Sequence, residues 1–219
     1  EKKFNLVKRE FSFCAKTKEE HQLWQQKAKN RLIKITGMDQ CVKTEPQAEC
    51  QYSLQQEGYI EEYWLMQTEP GVIMPFYFLK PGNGSSKNCP FVLNPHGHGG
   101  GKENTFRAWF AVELARSGYC VACPDTRGSG QRREQWQQGE EEEKKRMNSH
   151  REIQQMILGF GQCMVGLAVW DLMCLLDILC EWDCIDKSRI ACAGMSGGGQ
   201  QTIWLAALDN RVKAAITSG

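Results

Sequence analysis

The chain has 219 residues, of which 41% are apolar and 24% are charged, a balance that excludes a disordered or collagen-like chain. Its 27 basic and 26 acidic residues leave a net charge of +1, so we expect no nucleic-acid partner. Its uninterrupted apolar stretches fall far short of the ~20 residues that a membrane helix needs, so we expect no membrane partner.

Residues 1–58 are polar and favour helix, and we interpret them as an N-terminal helical arm and linker. The sequence T-K-E-E at residues 17–20 is a capping box, in which the Thr17 hydroxyl and the Glu20 carboxylate satisfy first-turn amides. Apolar residues then recur at roughly helical spacing until Gly37. Residues 38–58 are polar and contain one proline, which predicts an irregular connection. Packing of the arm on the main domain is one interpretation, and a lid or an oligomer contact is the other.

Residues 59–219 alternate strand-like and helix-like patterns and form the predicted main domain. Two β-branched and aromatic runs, 59–67 and 72–80, flank the turn T-E-P-G and predict a hairpin. Short apolar runs follow at 91–94, 119–123, 189–193 and 212–217, separated by helical stretches at 104–117, 162–182 and 198–208. Because these runs lack polar alternation, they predict an α/β domain whose mostly parallel sheet has helices on both faces. A charge block at residues 140–146 lies in a long polar loop, and we assign it no function.

Cysteine is used heavily, with 11 residues that lie mostly inside apolar runs. A secreted disulfide scaffold is smaller and usually pairs an even number of cysteines, so we expect a reducing, cytoplasmic location. The spacing of Cys120 and Cys123 resembles a redox or zinc pair. However, residues i and i+3 of a strand point to opposite faces, so we predict core packing for both thiols. We expect no metal and no cofactor.

The motif with the clearest chemistry is G-M-S-G-G at residues 194–198, which fits G-x-S-x-G between an apolar strand and a helix. In such a turn the serine adopts a strained backbone conformation, and side chains two residues away on either side would clash. We therefore predict Ser196 as a nucleophile, with the Gly197 amide donating to the oxyanion. A phosphate-binding loop is the alternative, but it needs a lysine that this helix start does not supply.

Two further glycine-rich loops follow predicted strands. In N-P-H-G-H-G-G-G at residues 94–101, the His98 amide is the predicted second oxyanion donor, and His96 is predicted to hold the loop by hydrogen bonds. A metal site on the two histidines is disfavoured because no carboxylate or cysteine joins them at a sensible spacing. In P-D-T-R-G-S-G at residues 124–130, we predict that Asp125 and Arg127 pair and fix the loop. A substrate contact is the alternative role for these two residues.

Taken in order, the three loops and the preceding hairpin resemble the α/β-hydrolase fold. More narrowly, they resemble the acetyl xylan esterase, cephalosporin deacetylase and dienelactone hydrolase-like branch, and V-W-D-L at 169–172 and A-A-L-D at 206–209 add to the match. The resemblance covers roughly residues 59–219. It implies a serine hydrolase that acts on carboxylic esters through an acyl-enzyme, with a small ester or an acetylated carbohydrate as substrate and no cofactor.

The sequence departs from this branch after the nucleophile, where the family order continues with an acid and a histidine. The 23 residues after Ser196 hold Asp209 as their one acid and no histidine, so we expect the hydrolase core to be C-terminally incomplete. The remainder of a longer hydrolase could supply both groups, or His150 could serve as an unusual base. Alternatively, the protein is a catalytically impaired binding or interaction module. Residues 212–217 would then form an exposed apolar sheet edge, which predicts homo-oligomers.

Overall fold

The structure, a computed structural model, describes residues 9–82, 87–108, 110–134 and 148–219. The charge block at residues 140–146 lies outside these ranges. The first described helix, α1, spans Lys18–Thr36, and the Thr17 hydroxyl accepts a hydrogen bond from the Glu20 amide at 3.2 Å. The Glu20 carboxylate accepts from the Lys16 amide at 2.7 Å, and Gly37 ends the helix with a φ of 69°. The predicted start and end of this helix are therefore confirmed.

The prediction of an irregular connection over residues 38–58 is wrong for most of that segment. A short 3-10 helix at Met38–Gln40 is followed by strand β1 at Gln47–Gln56, which pairs antiparallel with β2 at Tyr59–Glu69. Nearly every side chain of β1 is exposed, so the strand carries no alternation of apolar and polar residues that a sequence pattern could reveal. Backbone pairing with β2 is what defines it. The division of the chain at residue 58 stays a prediction.

The remaining elements match the predicted alternation of strands and helices. After β2 they are β3 Val72–Pro81, β4 Cys89–Leu93, α2 Lys102–Ala108, α3 Ala111–Arg116, β5 Cys120–Pro124, α4 His150–Leu158, α5 Met164–Leu179, β6 Ile185–Met195, α6 Gly197–Leu208 and β7 Val212–Ser218. A single helix was predicted over residues 104–117, where α2 and α3 are separate. The hairpin of β2 and β3 is confirmed.

The described strands form one sheet in the order β1-β2-β3-β5-β4-β6-β7. Strands β5, β4, β6 and β7 are parallel neighbours, whereas β1, β2 and β3 are antiparallel and β3 joins β5 antiparallel. The carboxyl ends of β4, β5 and β6 therefore lie side by side at one edge of the sheet. The three glycine-rich loops begin at these ends, which brings them together.

Helices cover both faces of the sheet, as predicted. Along β5, Cys120 and Ala122 point into a large core with α5 and α6, whereas Val121 and Cys123 point into a smaller core with α2 and α3. Cys120 and Cys123 therefore lie on opposite faces, which confirms their predicted packing roles. Among the described residues, no group of three or more histidines, cysteines or acids is arranged to hold a metal ion.

Strand β7 forms one edge of the described sheet, and its side chains are mostly exposed, including Ile216 at 69%. An exposed apolar edge favours pairing with another strand, and the predicted homo-oligomer through this edge stays a prediction. None of the described helices combines the length and the apolar character needed to cross a membrane.

Candidate active site

Ser196 lies between the end of β6 and the start of α6, at the carboxyl edge of the sheet. Its φ of 55° and ψ of −121° place a non-glycine residue in a region that L-residues rarely adopt. The Ser196 amide donates to the Ser218 carbonyl at 2.7 Å, which holds the turn against β7. The residue is exposed, so the turn presents the hydroxyl to solvent at a helix N-terminus, where developing negative charge is favoured.

The glycines of the elbow are required by close backbone contacts. A Cβ atom at Gly194 would overlap the Gly198 carbonyl, and one at Gly198 would overlap the carbonyl oxygen of Pro95. The elbow therefore packs backbone to backbone, both on itself and on the loop after β4. Any larger residue at 198 would push the two loops apart.

The loop after β4 lies directly against Ser196. A Cβ atom at Gly97 would be 3.2 Å from the Ser196 Cβ, and one at Gly197 would be 3.3 Å from the His98 amide nitrogen. The two amides that the sequence predicts as oxyanion donors, those of Gly197 and His98, thus belong to segments in contact beside the nucleophile. Their role in holding an oxyanion stays a prediction.

His96 is buried and connects two of the loops. Its Nε2 accepts a hydrogen bond from the Thr126 amide at 3.0 Å, so the proton of the neutral ring is on Nδ1, which donates to the Gly97 carbonyl at 2.8 Å. Burial lowers the pKa of His96, which favours this neutral form. The imidazole therefore ties the loop after β4 to the loop after β5, in a geometry that fits the predicted loop-supporting role.

The predicted pairing of Asp125 with Arg127 is wrong. Asp125 is fully buried and pairs with Lys102, whose Nζ donates to Oδ2 at 2.9 Å and whose amide donates to Oδ1 at 2.7 Å. The Gln131 amide also donates to this carboxylate, at 3.0 Å. Lys102 is 2% exposed, and its Nζ lies 5.5 Å from the ring centroids of Tyr63 and Tyr77. The pair fastens the start of α2 to the loop after β5.

Arg127 binds partners on other elements. Its Nε and Nη2 donate to Asp171 of α5 at 2.9 and 2.8 Å, and its Nη2 also donates to Glu69 of β2 at 2.6 Å. Arg132 donates to the same Asp171 carboxylate at 2.8 Å. Desolvation opposes ionisation of Asp171, but the two guanidinium groups outweigh it and lower the pKa of this carboxyl. Arg127 therefore anchors its loop to α5 and to the hairpin.

Sequence reasoning missed three residues that hold the loops: Lys102, Asp171 and Gln201. The buried Gln201 side chain donates to the carbonyls of His96 and Gly197 at 3.4 and 3.3 Å and accepts from the Thr126 hydroxyl at 3.1 Å. Asp171 had a usable signal, since it is one of only two carboxylates, with Asp177, in the otherwise apolar sequence of α5. Lys102 and Gln201 had none, because a polar residue in the first turns of a helix is usually exposed.

Two imidazoles lie near the elbow in addition to His96. A Cβ atom at Gly197 would be 2.8 Å from Nδ1 of His98, and the rings of His98 and His150 meet edge to face with centroids 5.1 Å apart. Nε2 of His150 is 3.1 Å from the Ser129 hydroxyl. Burial and the neighbouring His98 lower the pKa of His150 to about 4. In the part of the chain that the structure describes, no hydrogen bond joins the Ser196 hydroxyl to an imidazole.

A cavity of about 60 Å³ opens beside the elbow. It is lined by Gly97, His98 and Gly197 and by residues from the first two turns of α5. Thr126, His150 and the start of α6 complete its walls. A small pocket that is partly open to solvent thus lies next to both candidate oxyanion amides.

Comparisons with known proteins agree with this geometry. "Putative hydrolase YtaP" of Bacillus subtilis (strain 168) is 32% identical over 173 residues, which cover 74% of this chain and 53% of that protein. The chain thus spans about half the length of the curated relative that it matches.

Solved structures share the fold. A "putative acetyl xylan esterase" from Bacteroides fragilis NCTC 9343 superposes with a TM-score of 0.84 at 22% identity, over 98% of this chain and 57% of that one. "Methylesterase BT1017" superposes with a TM-score of 0.64 at 23% identity, over 92% of this chain and 42% of that one. At these identities the superpositions establish the α/β-hydrolase fold.

The family comparison covers nearly the whole sequence. The sequence model of the Abhydrolase family matches residues 3–218, a span that includes the N-terminal helix as well as the three loops. The chain belongs to the Abhydrolase family.

Proposed function

We propose that this chain carries the nucleophile of a serine hydrolase that acts on carboxylic esters, with acetyl groups on a carbohydrate as the substrate class. The observation that carries the proposal is the strained, exposed Ser196 at a helix N-terminus, against the loop that contains Gly97 and His98. The esterases among the structural neighbours support this reaction type by analogy of fold. No cofactor is needed, because backbone amides polarise the ester carbonyl.

The reaction proceeds through an acyl-enzyme. The Ser196 oxygen attacks the ester carbonyl carbon and forms a new C–O bond, while the serine proton passes to a base and then to the departing alcohol. The negative charge on the carbonyl oxygen in the tetrahedral intermediate is held by the amides of Gly197 and His98. Water then attacks the acyl-enzyme, which releases the acid and restores the serine hydroxyl.

The base and its acid partner are assigned outside residues 1–219. His150 is hydrogen-bonded to Ser129, and none of the described imidazoles is hydrogen-bonded to Ser196. A serine hydroxyl without an adjacent base is a weak nucleophile, so the 219-residue chain is expected to react slowly with esters. The match to the Bacillus subtilis relative covers 53% of that protein, which supports this assignment.

The test is covalent labelling of the chain with a fluorophosphonate probe and, on a separate unlabelled sample, hydrolysis of p-nitrophenyl acetate. We expect slow modification at Ser196 that added imidazole, an external base, accelerates in proportion to its concentration. Ser196→Ala should abolish the modification. Ser188→Ala is the matched control, because Ser188 is exposed, lies at the amino end of β6 and is hydrogen-bonded to Asp186 rather than to the elbow.

Two outcomes would redirect the proposal. A natively folded chain that stays unmodified even with imidazole would overturn it and favour the catalytically inactive binding module. Modification that His150→Ala eliminates, without added imidazole, would keep the hydrolase but assign the base to His150 rather than to a residue outside this chain.

A further inference from the structure

The segment that joins α5 to β6 crosses the amino end of the sheet. Its Trp182 ring meets the Phe78 ring of β3 edge to face, with centroids 4.9 Å apart. Its Cys184 carbonyl accepts a hydrogen bond from the Cys89 amide of β4 at 2.8 Å. Because β5 lies between β3 and β4 in the sheet, the segment passes the start of β5, where the Cys120 side chain is fully buried.

Two thiols meet at this crossing. The Cys120 sulfur is 3.8 Å from the carbonyl oxygen of Cys184, and the two thiols are in hydrogen-bonding contact. The Cys89 thiol also contacts Cys120. Cys120 and Cys184 are 64 positions apart in the sequence, so it is the path of the crossing segment that brings their sulfurs together.

The two thiols differ in exposure and in ionisation. Cys120 is buried, whereas Cys184 is partly exposed. The hydrogen bond from Cys120 lowers the pKa of Cys184, burial opposes this shift, and the positive charge of Lys80 adds to it. Lys80 is itself paired with Glu62 at 2.5 Å, which weakens its effect. A partly exposed thiol that ionises readily, beside a buried second thiol, is suited to attack an oxidant and then be resolved by its neighbour.

Apolar packing and metal binding explain less of this arrangement. Packing accounts for the buried Cys120, but a partly exposed thiol with a lowered pKa contributes little to a core. The residues that the structure describes include no group of three or more side chains placed to hold a metal ion. A covalent bond between the two sulfurs uses both thiols and their contact.

We propose that Cys120 and Cys184 form a redox-active dithiol, which a low-molecular-weight disulfide oxidises to an intramolecular disulfide bond. The Cys184 thiolate attacks one sulfur of the small disulfide, whose S–S bond breaks and releases one small thiol. The Cys120 sulfur, as its proton leaves, then attacks the Cys184 sulfur and releases the second small thiol. The two cysteines are oxidised, and the small disulfide is reduced to two thiols.

The new bond would join the start of β5 to the segment before β6, at the end of the sheet opposite Ser196. It closes a long loop, which restricts the unfolded chain, so the oxidised protein should resist urea better than the reduced protein. The proposal does not depend on the esterase function, because neither cysteine contacts the elbow or takes part in ester hydrolysis.

The test incubates the folded chain with glutathione disulfide, blocks the remaining thiols with iodoacetamide and maps the linked peptides by mass spectrometry. We expect a peptide pair joined through Cys120 and Cys184 that dithiothreitol separates. Cys184→Ala should abolish this link. Cys120→Ala should leave glutathione attached to Cys184, because the resolving sulfur is absent. Cys180→Ala is the matched control, at a buried thiol four positions before Cys184, and should form the link as the wild type does.

Urea unfolding provides the second readout. Oxidation should move the unfolding midpoint of the wild type and of Cys180→Ala to higher urea, and should leave that of Cys184→Ala unchanged. Ser196→Ala should form the link at the wild-type rate, so a failure of the proposed esterase would leave the dithiol standing.

Three results would overturn the dithiol. The first is a folded wild-type chain in which Cys184 keeps glutathione or stays free. The second is a link that joins Cys89, rather than Cys184, to Cys120. The third is a link that forms equally well in folded Cys184→Ala, with circular dichroism spectra that match the wild type as the evidence of folding.

Discussion

The amino ends and the carboxyl ends of the parallel strands carry different kinds of side chain, although both ends belong to the same strands. Strand β5 begins with Cys120 and β4 begins with Cys89, and Cys184 directly precedes β6. Contact with the Cys184 thiol and burial both raise the pKa of Cys120, so this thiol is neutral and packs as a small apolar side chain. At the other end, β5 is followed by Asp125, β4 by Asn94 and His96, and β6 by Ser196.

The contrast shows that one end of the sheet is held by side-chain packing, whereas the other end carries the candidate reactive groups. At the amino ends of β4 and β5, buried thiols and apolar side chains pack together, and the ion pair of Arg189 with Asp186 lies at the exposed start of β6. At the carboxyl ends, loops must expose amides and a hydroxyl, so their backbones cannot be fixed by apolar packing alone. Buried ion pairs such as Lys102 with Asp125, and hydrogen bonds such as those of His96 and Gln201, hold them instead. The following predictions test this difference between the two ends and the part that burial plays in it.

The largest effect on stability is expected from Asp125→Asn at the carboxyl end of β5. The variant removes the counter-charge 2.9 Å from the buried Lys102 Nζ and leaves the half-exposed Glu103 carboxylate 4.0 Å away. Breaking a buried pair in this way costs about 3–5 kcal/mol. Urea unfolding measures the loss. The double variant Lys102→Met with Asp125→Asn should recover part of it, because the unpaired charge is then gone. A single-variant loss below about 1 kcal/mol would contradict a structural role for this ion pair.

A smaller effect is expected from protonation of His150, near the same edge. Its pKa is about 4 in the folded chain and near 6.5 when unfolded, so the unfolded state binds more protons between these values. The stabilising contribution of the neutral His150 is therefore fully present above about pH 6.5. The free energy of unfolding falls as the pH drops toward 4. Discounted for partial exposure, the loss should be about 2 kcal/mol. Urea unfolding from pH 7 to pH 4 should show it.

The matched variant for this pH effect is His150→Gln, which removes the titrating group. Its stability should fall less steeply than that of the wild type over the same pH range. Burial also lowers the pKa of His96, so part of the slope should persist in the variant. Identical slopes for the two proteins would show that His150 titrates normally and is not held neutral by its surroundings.

Cys120→Ala tests the amino end of the same strand. Removing the sulfur leaves a small void among apolar neighbours and leaves no buried charge unpaired. The free energy of unfolding should therefore fall by about 1 kcal/mol. Ser196 labelling should proceed at the wild-type rate, because the change is at the opposite end of β5. A loss of stability as large as that of Asp125→Asn would remove the distinction between the two ends.

The smallest effect is expected from Asp39→Asn, which breaks an exposed ion pair with Lys34 near the end of α1. The Nζ and Oδ2 atoms are 3.0 Å apart, but the Lys34 side chain is 72% exposed. Solvent screens such a pair, so the free energy of unfolding should change by less than about 0.5 kcal/mol. A loss comparable to that of Asp125→Asn would show that burial does not explain the strength of the Lys102 pair.

The parts of the fold that the sequence could predict are those with a local signal. The elbow around Ser196 is local because glycines at 194 and 198 are needed within five residues, and the hairpin of β2 and β3 is local because its turn residues lie between two apolar runs. Strand β1 had no such signal, since its side chains face solvent and only pairing with β2 defines it.

Partner choice in the loops was not predictable for a different reason. Asp125 binds a lysine 23 positions away, and Arg127 binds an aspartate 44 positions away. Asp125 and Arg127 are close in sequence and opposite in charge, which suggested a pair. In the structure Asp125 binds Lys102 at the start of α2, whereas Arg127 binds Asp171 of α5 and Glu69 of β2. Such pairs are fixed by the topology of the sheet.

The most direct test of the central claim, that Ser196 is the nucleophile of an ester hydrolase, is peptide mass spectrometry of the chain after reaction with a fluorophosphonate in the presence of imidazole. We predict one adduct, on the peptide that contains Ser196, and no adduct in Ser196→Ala. A folded chain that carries no adduct, or one that carries it on another serine, would contradict the claim.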